Sequence, residues 1–403
     1  MQASLIFQFT GANRRSQTDA RHSVARDFLS VSRSACPRGL PISAHRKPKL
    51  LGGWRRPFSL TVLIASVLLI APLWAGAQAS DTSRRDAEPR STEREIDYST
   101  RADVRAFVSE LSARHGFDQD ELLRLFAQVR HQARVVSLMT PAPPGTKRSW
   151  SAYRGRVLDP VRVEAGLAFW RDNQDALRRA AERFGVPQEI IVSIIGIETM
   201  FGRYTGNFRV LDTLTTLAFD YPRRAEFFRS ELEQFLLLIR EQRLDPLGPR
   251  GSYAGAIGVP QFMPGSIRRH AVDFDGDGRI DLMRNNGDAI GSVASFLANH
   301  GWRTGEPTHF QARLADESRI TPLIDAGIEP KFTIAQLANY GVSSPQKVPP
   351  AMPLALIDLP NGDDPTVYYL GAPNFYVITR YNRSSFYAMA VIDLAAELRS
   401  SRN

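Results

Sequence analysis

GVPQEIIVSIIGIETMFG, residues 185–202, is the stretch on which the reading of this chain turns. Gly185 and Pro187 punctuate it as a helix-ending glycine and a first-turn proline do. Ile190, Ile191, Val192, Ile194, Ile195 and Ile197 then run almost without a polar break to Glu198, so the predicted helix is buried on most sides. Glu198 follows Ile191, Ile194 and Ile195 by seven, four and three residues and shares their face, pointing into the interior or a cleft floor. Gly202 is expected to end the helix. A carboxylate among isoleucines loses hydration, which favours its neutral form, raises its pKa and suits it to act as a general acid at neutral pH. The structural alternative is a glutamate that leans to the surface or pairs with an arginine such as Arg203.

Upstream, Val104, Phe107, Val108 and Leu111 recur at helical spacing, and Leu122, Leu123, Leu125, Phe126 and Val129 repeat the pattern after a break at His115 and Gly116. Pro141, Pro143, Pro144 and Gly145 form a rigid loop, after which a helical stretch runs through Val163, Leu167, Phe169 and Trp170 towards Arg183. An all-helical layer is expected here. Downstream, residues 251–264 are rich in small residues, with Tyr253 and Phe262 offering faces for sugar rings or peptide and Ser252 and Gln261 offering hydrogen bonds. The segment lacks the Gly-Lys-Ser/Thr ending of a phosphate-binding loop, and an ordinary surface loop is its bland reading.

Asp273, Asp275, Asp277 and Asp281 stand at positions 1, 3, 5 and 9 of an EF-hand-like loop, with Gly276 and Gly278 at its turns. This spacing surrounds a tight turn with the hard oxygen ligands that calcium requires. Arg284 occupies position 12, where a bidentate glutamate is usual, so closure is expected through Asp288, before a helix starting near Ala289. Arg279 falls at position 7.

A chain of 403 residues with 43% apolar and 23% charged residues excludes disorder, collagen and coiled coil. The net charge of +9 resides in the leader: residues 1–79 hold 11 of 51 basic and 2 of 42 acidic residues, leaving 51 − 11 = 40 against 42 − 2 = 40. No nucleic-acid partner is expected from so balanced a remainder. The leader joins Trp54, Arg55 and Arg56 to an apolar run from Leu60 to Ala71, broken by Pro72, and ends in Ala77, Gln78, Ala79. It reads as a signal peptide cleaved after Ala79, too short to remain as a membrane anchor, and its long basic lead-in points to a true start further downstream. Cys36, the only cysteine, lies in this discarded part, so the exported chain has neither a disulfide nor a thiol for lipid attachment.

Taken together, Ile-Gly-Ile-Glu-Thr at 195–199, Asp-Tyr-Pro-Arg-Arg-Ala at 220–225, Gly-Ser-Tyr-Ala-Gly-Ala-Ile-Gly at 251–258, Gln-Phe-Met-Pro at 261–264, the acidic loop and Asn-Phe-Tyr-Val-Ile-Thr-Arg-Tyr-Asn at 374–382 carry a family signature. In order and spacing the chain resembles the lytic murein transglycosylase B family (glycoside hydrolase family 103) over about residues 100–395. The resemblance implies a mainly α (α+β) protein: a lysozyme-like helical catalytic core with an EF-hand-type loop, flanked by a helical domain and a small β-containing domain. The expected division is a leader at 1–79, a linker at 80–95, a helical domain at 96–178, the core at 179–310 with its calcium loop at 273–288, a β-containing domain at 311–370 and a return segment at 371–400.

The resemblance further implies cleavage of the β-1,4 bond between N-acetylmuramic acid and N-acetylglucosamine in peptidoglycan, leaving a 1,6-anhydromuramoyl end. Glu198 matches the family's single catalytic acid. Tyr153, Arg223, Arg224, Ser252, Gln261, Tyr381, Asn382 and Tyr387 would line the glycan cleft, with Phe296 where an aromatic is expected. Bland readings accompany these: Arg223 and Arg224 as helix-surface charge, and Tyr381 and Tyr387 on a packed strand and turn. Asp273, Asp275, Asp277, Arg279 and Asp288 would hold a structural Ca2+, Asp288 arriving one residue later than the family's loop leads one to expect. The alternatives are a muramidase that uses water, for which Asp220 is the candidate second carboxylate, and a wall-binding module without catalysis. A monomer in the periplasm acting on glycan strands is expected, with room for association with the outer membrane and with cell-wall synthesis enzymes.

Overall fold

The computed structural model describes residues 96–402 apart from 142 and 144. The leader, its cleavage point, Cys36 and the linker at 80–95 lie outside the described residues. The rest is mostly helical, and its centre is the helix Gln188–Thr199, of whose 12 residues nine are buried. Burial on nearly every side follows from the isoleucine run and requires partners all round. They are the helices Pro160–Asp172, Gln174–Phe184, Asn286–Asn299 and Ser385–Arg402. The last of these also takes a hydrogen bond from inside the core, Ser193 Oγ donating to the Val391 carbonyl at 2.7 Å.

Gly185 ends the preceding helix in the left-handed region, as its sequence position predicts. The glutamate helix stops earlier than Gly202. It ends at Thr199, and Met200, Phe201 and Gly202 all have positive φ, at 51°, 59° and 84°. The first two lack glycine's freedom and cost about 1 kcal/mol or more each. Phe201 is held there by packing: its ring meets Phe169 at 5.4 Å and lies so close to Gly196 and Gly166 that a Cβ on either would come within 2.5 and 3.0 Å of it.

Helices Ala102–His115 and Gln119–Phe126, divided by Gly116 at φ 66°, match the periodicity read from sequence. The stretch towards Arg183 is two helices, Pro160–Asp172 and Gln174–Phe184, because Asn173 turns its amide back onto the Phe169 carbonyl. One hydrophobic cluster runs from Tyr98 to Leu398 through all these elements. A second, smaller cluster, from Phe310 to Ala372, fills the space behind a three-stranded antiparallel sheet. In that sheet Asp364–Gly371 is central, pairing with His309–Gln311 and Ala355–Asn361, so Phe310 and Leu356 both face Leu370. The chain returns through helices Pro373–Tyr381 and Ser385–Arg402. Tyr381 and Tyr387 therefore sit on helices and not on a strand and turn.

Candidate active site

Glu198 lies in the last turn of the central helix. Its Oε1 accepts a 2.7 Å hydrogen bond from the Tyr387 hydroxyl, and Tyr387 is itself only 1% exposed. Burial pushes the Glu198 carboxyl up to about 7, and the Tyr387 hydrogen bond, which favours the charged form, opposes part of that rise. Among the described residues no cation is paired with it, so pairing with Arg203 is not its arrangement. Tyr387 and Tyr381 stack at 6.4 Å with their planes 14° apart. Burial and the neighbouring Glu198 raise both phenols well above their ordinary range, so they remain neutral donors.

The small-residue segment is fastened beside this carboxyl. Thr199 Oγ1 donates to the Val259 carbonyl at 2.8 Å and the Tyr381 hydroxyl to the Pro260 carbonyl at 2.5 Å. Gln261 takes φ 52° and donates through Nε2 to the carbonyls of Gly258 and Thr205. Small residues are needed here for close approach: a Cβ on Gly206 would come within 2.1 Å of the Gly251 carbonyl. Ser252 Oγ accepts from the backbone of Ala254 and Ala256 and is buried, so it organises the turn.

A cavity of about 400 Å³ opens over Glu198. Of the residues expected in the cleft, Arg224, Gln261, Phe296, Tyr381 and Asn382 line it with Glu198. Phe262, Phe296 and Tyr381 form one aromatic wall, with centroids 4.9–5.7 Å apart. Tyr387 stands behind the carboxyl. Tyr153, stacked on Trp150 and edge-on to Phe386, is outside the lining but near enough for Glu198 to add to the rise that burial causes in its phenol pKa. Arg223 is exposed and Ser252 is enclosed in its turn, so neither is part of the lining. Glu231, Arg269, His270, His300, Arg380 and Arg383, none of them singled out from sequence, also line the cavity. Asp220 does not, because Tyr98, Arg101 and His131 surround its carboxylate at 2.5, 2.6 and 3.3 Å.

In the acidic loop, carboxylate oxygens of Asp273, Asp275 and Asp288 lie within 4.8 Å of one another. The following helix is Asn286–Asn299, capped by Asn285, so it starts three residues before Ala289 and Asp288 belongs to its first turn. From there Asp288 reaches across the loop, accepting the backbone N–H of Phe274 and of Asp281 at 2.8 Å each. Asp277 and Asp281 are outside the group of three, their oxygens taken by Arg279 N–H and by the N–H groups of Met283 and Arg284. Three converging carboxylates around a left-handed glycine are the hard-oxygen donor set a calcium ion takes.

Residues 99–396 match the family described as the transglycosylase SLT domain. The membrane-bound lytic murein transglycosylase B of Escherichia coli (strain K12) is 41% identical over 314 residues, 76% of this chain and 85% of that protein. The soluble lytic transglycosylase SltB1 of Pseudomonas aeruginosa, in its catenated structure, superposes with a TM-score of 0.70 at 44% identity, over 76% of this chain and 100% of that one. The Escherichia coli lytic transglycosylase Slt35 has been solved with bulgecin A, at TM-score 0.68 and 41% identity, and with calcium, at 0.67 and 39%, each over 78% of this chain and 99% of that one.

Proposed function

The chain belongs to the transglycosylase SLT family as a lytic murein transglycosylase, and on that premise we propose that Glu198 alone carries the proton transfers of the reaction. As a neutral acid it protonates the oxygen of the β-1,4 bond between N-acetylmuramic acid and N-acetylglucosamine as that bond breaks. The resulting carboxylate then removes the proton from the muramoyl O6 hydroxyl, which attacks the anomeric carbon and closes the 1,6-anhydro ring. The substrate's own N-acetyl group stabilises the anomeric centre, so no protein nucleophile is needed. The observation that carries this reading is a cavity-lining carboxyl pushed to about 7 by burial, hydrogen-bonded to a neutral phenol donor and paired with no cation among the described residues.

The aromatic wall of Phe262, Phe296 and Tyr381 receives sugar rings, and Gln261, Asn382 and Arg224 bond the polar substituents. Ser252 acts through the turn it holds, and Tyr153 supports the Glu198 side of the cleft. Arg223, exposed beside Arg224, meets substrate only outside the cavity. Asp273, Asp275 and Asp288, with Asp277 and the backbone of Arg279 around them, would hold a calcium ion that ties the loop to the helix behind it. Its part is structural. The exposed loop belongs to the core at 179–310, whose cleft is completed by the return segment at 371–400, with the helical domain at 96–178 and the sheet domain at 311–370 built round it. Cleavage of the leader after Ala79 would deliver the chain to the periplasm. Among the described residues no helix is long and apolar enough to cross a membrane.

Mass analysis of products from purified cell wall tests the reaction. Anhydromuramoyl ends are the expected result. Reducing ends would make the protein a muramidase that uses water, and intact walls with retained binding would make it a wall-binding module.

A further inference from the structure

The backbone just beyond Glu198 is strained. The helix ends one residue later, at Thr199, and Met200, Phe201 and Gly202 then all have positive φ. Such a run persists only where its surroundings over-determine it, and without a lock it would relax and draw the last helical turn, with Glu198, out of place. Part of the lock is the packing on Phe201. The polar part is Thr199, which is 1% exposed: its hydroxyl accepts the Gly202 N–H at 3.0 Å and its carbonyl accepts the Tyr204 N–H at 2.9 Å.

The same hydroxyl reaches the segment that carries Gln261. Its single proton goes to the Val259 carbonyl at 2.8 Å, the Ile195 carbonyl one turn back lying further off at 3.3 Å. Val259 is a fixed anchor. Its own N–H donates to the Leu282 carbonyl at 2.8 Å, and its side chain packs so close to the turn that a Cβ on Gly202 would meet Val259 Cγ2 at 3.3 Å. The two residues after it belong to the cavity side of the segment: the Pro260 carbonyl accepts the Tyr381 hydroxyl at 2.5 Å, and Gln261, held at φ 52°, lines the cavity with Tyr381 and Glu198. One buried hydroxyl therefore joins the residue after the acid to the residue two before Gln261.

A threonine near a helix end commonly bonds the backbone one turn back. Thr199 differs in that its shorter bond leaves the helix, spans 60 residues of sequence and ends on a segment that lines the cavity. The Glu198 carboxyl takes its own hydrogen bond from Tyr387, so Thr199 acts on it through the backbone. We propose that Thr199 is a positioning residue for the proton transfers: its hydroxyl fixes the gap between the Glu198 backbone and the Val259–Gln261 segment, so that a glycosidic oxygen lodged against that segment meets the carboxyl at hydrogen-bond length. The proposal rests on the transglycosylase reading. A misplacement of about 1 Å at such a point costs about 10²-fold in rate. Valine has the shape of threonine but would leave the Val259 carbonyl and the Gly202 N–H without this partner, freeing the strained turn to relax.

Kinetics of Thr199→Val and Thr199→Ser on purified cell wall, each assayed well below its own melting temperature, test it. Thr199→Val should lose about 10–10²-fold in kcat for release of anhydro ends, with KM within about threefold of wild type. Its alkaline limb should move to lower pH, since a relaxed turn admits water to the carboxyl and removes part of the burial that keeps it protonated. Thr199→Ser keeps the hydroxyl and should hold kcat within about threefold, with the limb in place. Should the valine variant fail to fold, Thr199→Ala, too small to crowd the site, carries the same comparison. A loss confined to melting temperature, with the kcat and limb of wild type, would make Thr199 merely structural and overturn the proposal. A change confined to KM, or a serine variant as slow as the valine one, would do the same. Wild-type enzyme that yields no anhydro ends would instead sink the underlying reading.

Discussion

Two groups of carboxylates in this molecule have opposite surroundings. Glu198 stands at the end of the isoleucine helix, half-buried on the cavity floor, and its carboxyl accepts a hydrogen bond from Tyr387. The loop aspartates lie largely in solvent and are wrapped in donors: Asp273 accepts from Gly276, Asp277 and Gly278, and Asp275 accepts from Asp277 and the Asn285 amide. Burial raises the first pKa and hydrogen bonding lowers that of Asp275. One functional group thus yields a proton donor in one place and a fixed anion in the other, the difference being which protonation state the backbone and solvent favour. Asp288 stands between the two: it is buried and raised by that burial, yet it accepts two backbone bonds and has the other aspartates as neighbours.

The largest effect expected from breaking the contrast is at Glu198. Glu198→Gln keeps the size and the Tyr387 contact but cannot exchange the proton, so turnover should fall by about 10³-fold or more with glycan binding retained. A Gln variant of near-normal activity, measured by release of anhydro ends, would remove the assignment of the acid. Tyr387→Phe is a sharper probe. It deletes the hydrogen bond from Tyr387 that favours the charged form, so the alkaline limb of the pH–rate profile should move to higher pH, while turnover falls about tenfold through lost orientation. A limb that moves to lower pH would contradict this.

The same burial has a stability signature. Unfolded, the Glu198 carboxyl ionises near 4.5, and folded near 7. Below about pH 4.5 both states hold the proton and folding carries no penalty; above about 7 the folded state must bury a charge. Glu198→Gln should therefore leave the melting temperature unchanged near pH 4 and raise it near pH 8, by about 1–3 kcal/mol of stability. A variant less stable than wild type at pH 8 would mean that the carboxylate is better accommodated than the geometry implies. At the loop, a chelator should lower the melting midpoint by a few degrees, as loss of a ligand bound only by the folded state does. Asp288→Asn should abolish that difference, and a midpoint indifferent to chelator in the wild type would argue against calcium.

How far these features were legible in sequence depended on whether their parts are neighbours along the chain. The glutamate helix was legible because its burial, its face and its carboxyl are all encoded within a single run of isoleucines. The acidic loop was legible for the same reason, and Asp288, where its closure was expected, does join Asp273 and Asp275; the next helix, expected near Ala289, starts at Asn286, so Asp288 works from inside its first turn. Helix ends governed by tertiary packing were hidden, as at Phe201, where Phe169 and Gly166 of the Pro160–Asp172 helix and Gly196 of the glutamate helix hold a left-handed backbone that the sequence alone disfavours. Arg269, Arg380, Arg383, His270 and Glu231 were invisible as a group, since each looks like helix-surface charge until the fold brings the three segments to one hollow. Tyr387 was found only through the family signature, and its hydrogen bond to Glu198 spans 189 residues of sequence.

Direct titration of the Glu198 carboxyl, followed by carbon NMR of the folded protein labelled at glutamate and assigned by comparison with Glu198→Gln, bears hardest on the central claim. A carboxyl resonance with its midpoint at about 7, lost in the variant, is the predicted result. A midpoint at or below about 4.5, the ordinary glutamate range, would leave no proton on Glu198 at neutral pH and contradict it.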